Sequence, residues 1–225
     1  MPQGELYTRQ ERLELNVPQD VTVVGCGGIG SWVAIFCAMS GVPNIFLFDA
    51  DVMEESNRNR LPFCEGSLNR PKVEVVADYL RAIRPQANII PIADRLEGML
   101  LDVQLSVGHN FIDCTDSPKA QYSIYKACLA HGVNYIRAGY DGTSITVAGG
   151  VSGWIRTDVE EENYAVNPSW VVPAVTVAAL AVGKLMKYPR QEVSLDISEI
   201  GVPAIQRHRR LTPRCNQVPT RTRRR

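Results

Sequence analysis

Five short apolar blocks recur along the chain, separated by longer stretches with a helical period. Val21–Gly25, Asn44–Asp49, Asn88–Ala93, His109–Cys114 and Asn134–Ala138 are five- or six-residue runs rich in β-branched and aromatic side chains. Runs of that length and uniform apolarity predict buried parallel strands. Ile29–Ser40 places Ile29, Val33, Phe36 and Cys37 on one helical face. Pro71–Arg84 does the same with Val73, Val76, Ala77 and Leu80, with Pro71 early in the helix, where its missing N–H costs nothing. Asp116-Ser-Pro118 has the form of a helix start, and that helix runs through Ala130. Alternation of this kind predicts a doubly wound, mainly parallel α/β sheet.

Beyond Ala138 the pattern changes. Asp141-Gly142 and Gly149-Gly150 flank Ser144–Ala148 and signal hairpins, which adds a small antiparallel extension. A polar connection from Arg156 to Asn167 leads to an apolar helix at about 171–187, and Glu192–Ser198 alternates like an exposed edge strand. The longest apolar run, Trp170 to Gly183, contains Pro173 and is too short to span a membrane, so it fits a buried helix.

Composition refines this picture in three ways. At 225 residues, 45% hydrophobic and 21% charged, the chain has the profile of one globular domain with a sizeable core. The polar Met1-Pro-Gln-Gly-Glu start lacks the apolar core of a secretory signal, and a cytoplasmic setting is expected. The zero net charge conceals an asymmetry: residues 201–225 hold eight arginines and no acid, which leaves 16 basic against 24 acidic residues before them. The chain therefore divides into a body, 1–200, and a basic tail, 201–225, whose prolines and lack of apolar period predict poor order. Such a tail either folds back on the acidic body or contacts RNA. Six scattered cysteines without any Cys-x-x-Cys, and three unpaired histidines, argue against a structural zinc site and a disulfide framework.

Three clusters fall at the carboxyl ends of predicted strands, where ligands bind in such sheets. Gly25, Gly27 and Gly30 form G-x-G-x-x-G between the first strand and its helix, and Gly28 adds a fourth glycine. Backbone N–H groups at a helix N-terminus favour phosphate, although the same glycines would serve a plain tight turn. Asp49, 19 residues beyond Gly30, suits a ribose hydroxyl or merely ends its strand. The following loop, with Asp51, Asn57 and Arg60, carries more donors than a nicotinamide site needs and would clamp a triphosphate; otherwise it is a polar surface loop. Lys72 stands in the first turn of its helix, against the helix dipole, which a bound anion would explain and a snorkelling side chain would not require. Asp116 either caps the helix at Pro118 or holds Mg²⁺ against phosphates.

Gly25-x-Gly-Gly-Ile-Gly-Ser31, Asp49-x-Asp51, Ser56-Asn57-x-x-Arg60, Lys72 and Asp113-Cys-Thr-Asp116 together resemble the ThiF/MoeB/ubiquitin-activating-enzyme adenylyltransferases, a Rossmann-like family. Tyr7-Thr-Arg9-Gln10 and Asn167–Lys187 extend the resemblance over roughly residues 5–190. It implies ATP·Mg²⁺-dependent adenylation of a carboxylate, often the C-terminus of a ubiquitin-like or sulfur-carrier protein. It further implies Asp49 on the ribose, Asn57, Arg60 and Lys72 on the triphosphate, and Asp116 on Mg²⁺. Arg9 would act as an arginine finger in the neighbouring site of a homodimer. Two departures stand out: the family's zinc cysteines are missing, and the 156–170 connection has no cysteine to accept an acyl group. Cys64 and Cys215 are not at the matching position and read as inert thiols. Ser31-Trp32 resembles the tRNA threonylcarbamoyladenosine dehydratase branch, so a modified tRNA carboxylate is an alternative acceptor. A non-catalytic nucleotide-binding partner subunit and an NAD(P)-dependent oxidoreductase are the remaining alternatives.

Overall fold

Parallel pairing dictates the architecture. A computed structural model describes residues 5–61, 66–150, 169–187 and 193–196, and the basic tail and most of the 156–170 connection lie outside them. The strands are β1 (Asp20–Val24), β2 (Asn44–Phe48), β3 (Asn88–Ile92), β4 (Asn110–Asp113), β5 (Asn134–Asp141), β6 (Ser144–Ala148) and β7 (Val193–Asp196). They form one sheet in the order β3-β2-β1-β4-β5-β6-β7. The first five are parallel, while β5–β6 and β6–β7 are antiparallel, with Asp141 opposite Ser144 across the Gly142 turn. The chain order reverses beside β1, which opens a crevice between its carboxyl end and that of β4.

Helices cover both faces. α2 (Gly30–Ser40), α3 (Lys72–Ile83) and α6 (Val171–Met186) pack with Val21, Val23, Ile45, Leu47, Ile112 and Ile136 in the larger core. α4 (Gly98–Val107) and α5 (Pro118–His131) pack with Val24, Phe48 and Phe111 on the other face. Both faces of β1 are therefore buried, which is why its sequence shows no polar alternation. α2 and α5 stop at Gly41 and Gly132, both left-handed, where a side chain would be strained. A short helix, α1 (Thr8–Glu11), follows a 3-10 turn at Glu5–Tyr7.

The amino ends of the five parallel strands share a polar start. Asp20, Asn44 and Asn88 are in register, as are Asn110 and Asn134. Asn88 Nδ2 donates to Asn44 Oδ1 at 3.2 Å, Asn134 Nδ2 to Asn110 Oδ1 at 3.1 Å, and Asn110 Nδ2 to the Asp20 carbonyl at 3.2 Å. A one-residue slip would break this row and turn every buried side chain to the wrong face.

Every helix and strand expected from the sequence is present within one to three residues at its ends. Helix α4 was not among them. Its apolar residues Met99, Leu100, Leu101, Val103, Leu105 and Val107 do not follow a clean helical period. The structure shows why: Leu101, Gln104 and Leu105 face inward, while Met99, Val103 and Val107 are exposed. Gln104 is buried because its Nε2 donates to Thr22 Oγ1 at 2.7 Å. Among the described residues no helix is long and apolar enough to cross a membrane.

Candidate functional site

The glycine loop runs from the end of β1 into α2. Gly25 adopts φ +85°, and its N–H donates to the Phe48 carbonyl at 2.7 Å, so the chain turns sharply against the end of β2. A Cβ on Gly30 would lie 1.7 Å from the Gly25 carbonyl oxygen. Gly25 and Gly30 thus close the turn on itself. Gly27 differs: a Cβ there would meet nothing within 4 Å. The N–H groups of Gly27, Gly28 and Ile29 have no partner among the described residues and stand just before α2, at its positive end. Ser31 Oγ donates to the Cys26 carbonyl at 2.7 Å and holds the loop from inside.

Asp49 fixes the loop from the β2 side. Its Oδ2 accepts the Cys26 N–H at 2.6 Å and its Oδ1 accepts the Asp51 N–H at 2.8 Å. Each oxygen keeps a free lone pair, which fits a pair of ribose hydroxyls. Burial pushes the Asp49 carboxyl above its ordinary range, partly offset by Lys72 and the two N–H donors.

The loop after β2 is tied to α3. Met53, Leu61 and Val75 form a small core of their own beneath it. Lys72 Nζ pairs with Asp51 Oδ2 at 2.7 Å, and the Lys72 N–H donates to the Asp51 carbonyl at 2.9 Å. The anion that the lysine's placement called for is therefore at hand in the chain itself, and two of the three ammonium protons are left for a further acceptor. Asn57 is buried in a 3-10 turn, Glu55–Asn57, where its Oδ1 accepts the Glu54 N–H at 3.0 Å; its Nδ2 has no partner among the described residues.

Arg60 lies across the glycine loop. A Cβ on Gly28 would come within 2.7 Å of the Arg60 Cδ, so only glycine lets the side chain rest there. Arg60 Nη1 donates to the Ser56 carbonyl at 2.7 Å and to Asn59 Oδ1 at 2.9 Å, leaving Nε and Nη2 without described partners. The Arg60 carbonyl in turn accepts the Trp32 indole N–H at 2.9 Å, which staples the loop to α2.

Across the crevice, Asp113 at the end of β4 is fully buried. It accepts from Thr115 N–H and Oγ1 and from the Tyr135 hydroxyl at 2.9 Å, and burial raises its carboxyl above the ordinary range. Asp116, three residues on, is exposed and has no partner among the described residues. It does not cap α5; that bond comes from Ser117, whose Oγ accepts the Ala120 N–H at 3.3 Å. Thr115 N lies 3.3 Å from a Cβ position on Gly25, so the Asp116 segment adjoins the glycine loop.

The fold thus brings Gly25, Gly27, Gly28, Gly30, Asp49, Asp51, Asn57, Arg60, Lys72 and Asp116 to one rim. It does not bring Arg9 there. Gln10 Nε2 donates to the Ser40 carbonyl at 2.8 Å and the Tyr7 ring packs on Gly41, so α1 sits at the far end of α2. Sequence reasoning did not find Asn59, Tyr140 and Ser169: Asn59 Nδ2 donates to the Ser169 carbonyl at 2.7 Å, and the Tyr140 hydroxyl bonds Ser169 Oγ. No local pattern signals contacts across such sequence separations.

The ThiF family profile matches residues 8–188. This chain belongs to the ThiF family. Among curated relatives of known name, the adenylyltransferase and sulfurtransferase UBA4 of Yarrowia lipolytica is 32% identical over 136 residues, covering 60% of this chain and 32% of that one. The tRNA threonylcarbamoyladenosine dehydratase of Haemophilus influenzae is 31% identical over 138 residues, covering 60% and 52%. The chain therefore spans about a third of the first of these relatives and about half of the second. Among solved structures, Escherichia coli MccB with AMPCPP and MccA superposes at TM-score 0.66, with 21% identity over 82% of this chain and 63% of that one, a likeness of fold. The AMP complex of Escherichia coli tRNA N6-threonylcarbamoyladenosine dehydratase gives 0.56 and 25% identity, over 64% and 63%.

Burial makes the described cysteines poor nucleophiles. Cys26, Cys37 and Cys128 are fully buried, and burial raises their thiols, to about 12 for Cys37 and Cys128. Cys114 is raised by burial as well. Cys64 and Cys215 lie outside the described residues.

Proposed function

We propose that this chain adenylates a carboxylate at the expense of ATP·Mg²⁺, and that the acceptor is the C-terminus of a ubiquitin-like or sulfur-carrier protein. The observation that carries the reading is Arg60 resting on Gly28, with Nε and Nη2 open beside the unpartnered N–H groups of the glycine loop. That arrangement suits a triphosphate lying between the loop and the guanidinium. Asp49 would accept from the ribose, and Asn57 and Lys72 would add donors to the phosphates. The acceptor carboxylate attacks the α-phosphorus in line, the bridging P–O bond breaks, and pyrophosphate leaves with its electron pair.

Among the described residues no three acidic, histidine or cysteine side chains are grouped to hold a metal. One free carboxylate, Asp116, together with phosphate oxygens is the kind of oxygen set that Mg²⁺ accepts, and the ion when bound would neutralise charge on the phosphates. Arg9 lies at the far end of α2 from its own glycine loop, so the proposed arginine-finger role would be served in the site of a second subunit of a homodimer. With the thiols of the described cysteines raised by desolvation, the adenylate passes to a nucleophile elsewhere or is itself the product. A cytoplasmic setting, where ATP is available, suits this chemistry.

ATP–pyrophosphate exchange tests the reading. Exchange should depend on a candidate acceptor ending in a free carboxylate and fall by about 10³-fold in Arg60→Ala, with a comparable loss in Asp116→Ala. Wild-type exchange in both variants would sink it. A second reading, a modified tRNA carboxylate as acceptor, is favoured by the dehydratase relatives, by Ser31-Trp32 and by the eight arginines of 201–225. Removal of residues 207–225 should then weaken RNA binding and flatten its salt dependence.

A further inference from the structure

Asn59 uses both ends of its carboxamide. Its Oδ1 accepts from Arg60 Nη1 at 2.9 Å while its Nδ2 donates to the Ser169 carbonyl at 2.7 Å. A guanidinium can only donate and a carbonyl can only accept, so the partners fix which end of the amide is which. Ser169 is held from a second side, where its Oγ bonds the hydroxyl of Tyr140 near the end of β5. Ser169 stands immediately before Trp170 and α6, the helix that fills the sheet face beside α2. Three separate segments, the loop after β2, the end of β5 and the start of α6, thus meet at Ser169.

We infer that Asn59 is a positioning residue: it holds the Arg60 guanidinium in aim over the glycine loop and links that aim to α6 through Ser169 and Tyr140. Arg60 Nη1 has two acceptors in this structure, and the Ser56 carbonyl alone leaves the guanidinium free to swing about one bond. With Asn59 in place the planar group is fixed by two bonds, both made by Nη1, and Nε and Nη2 keep their protons without a described partner. Seating of α6 against Tyr140 and Asn59 therefore biases the same side chain that meets the triphosphate. This inference rests on the reading that Arg60 binds phosphate.

Calorimetric affinities for ATP·Mg²⁺ and for AMP, measured on wild type, Arg60→Ala, Asn59→Ala, Tyr140→Phe and the Arg60→Ala/Asn59→Ala double variant, test it. Arg60→Ala should weaken ATP far more than AMP; if the ratio of the two affinities stays at the wild-type value, the phosphate reading itself has failed. Given that difference, Asn59→Ala should weaken ATP about tenfold and AMP less than about twofold, and Tyr140→Phe should weaken ATP by about threefold. Added to Arg60→Ala, the Asn59 change should cost nothing more. Equal weakening of ATP and AMP by Asn59→Ala, or full additivity in the double variant, would overturn the inference. If Asn59→Ala does not fold, Tyr140→Phe decides: unchanged ATP affinity there overturns the link to α6.

Discussion

Alanine at Gly27 and at Gly30 separates the seat of the ligand from the scaffold that shapes it. An added Cβ at Gly27 meets no protein atom within 4 Å, and the residue is not in the left-handed region. Gly27→Ala should therefore leave folding unharmed, and by restricting the unfolded chain it should stabilise by up to about 1 kcal/mol. A phosphate seated on the N–H groups of Gly27, Gly28 and Ile29 would collide with the new methyl. Losing one charge-assisted hydrogen bond costs about 1.5–3 kcal/mol, or about 10–100-fold in affinity for ATP·Mg²⁺. Gly30→Ala is the opposite case. Its Cβ would sit 1.7 Å from the Gly25 carbonyl oxygen, a backbone atom that cannot swing aside. Restoring ordinary contact needs a shift of more than about 1 Å in a packed turn, which costs roughly 3 kcal/mol or more. Urea unfolding without ligand and calorimetric titration with ATP·Mg²⁺ measure the two effects. A Gly27→Ala protein that binds ATP like wild type would refute the assignment of phosphate to this loop.

Other predictions use the same geometry. Gly28→Ala should unfold normally in urea, since the obstructing atoms belong to the flexible Arg60 side chain, yet weaken ATP as Arg60→Ala does. Asn57→Ala should cost about 1 kcal/mol in urea by removing the acceptor for the Glu54 N–H. Mixing Arg9→Ala with Arg60→Ala subunits should restore exchange to about a quarter of wild type, because half of the dimers then hold one intact composite site. Asp113 is raised by burial, so its ionisation opposes folding: stability is fully present below the ordinary carboxylate range and falls as pH rises through the raised value. Asp113→Asn should flatten that part of the urea-midpoint pH profile, and an unchanged slope would count against the buried charge.

Much of this was legible in the sequence because it depends on near neighbours. The β1–α2 glycines, Asp49 a strand later and the start of α5 at Ser117-Pro118 follow local rules of turn, cap and period. Helix α4 was not legible because half of its apolar residues face solvent and blur its period. The role of Lys72 was half legible: its cost at a helix start was plain, but the Asp51 carboxylate that meets it is a contact between two elements.

The sequence by itself determined the alternation of elements, and with it the rim on which any ligand must sit, because buried parallel strands and capped helices write their own periods. Only the tertiary structure decided which open atoms that rim presents. Gly27 and Gly30 are the same residue type three positions apart, yet one faces empty space and the other its own backbone. Arg60 is aimed by Asn59, which reaches Ser169 across the fold. Distance in space, not spacing in sequence, sets these interactions, and chain closure through a packed core is what brings them together.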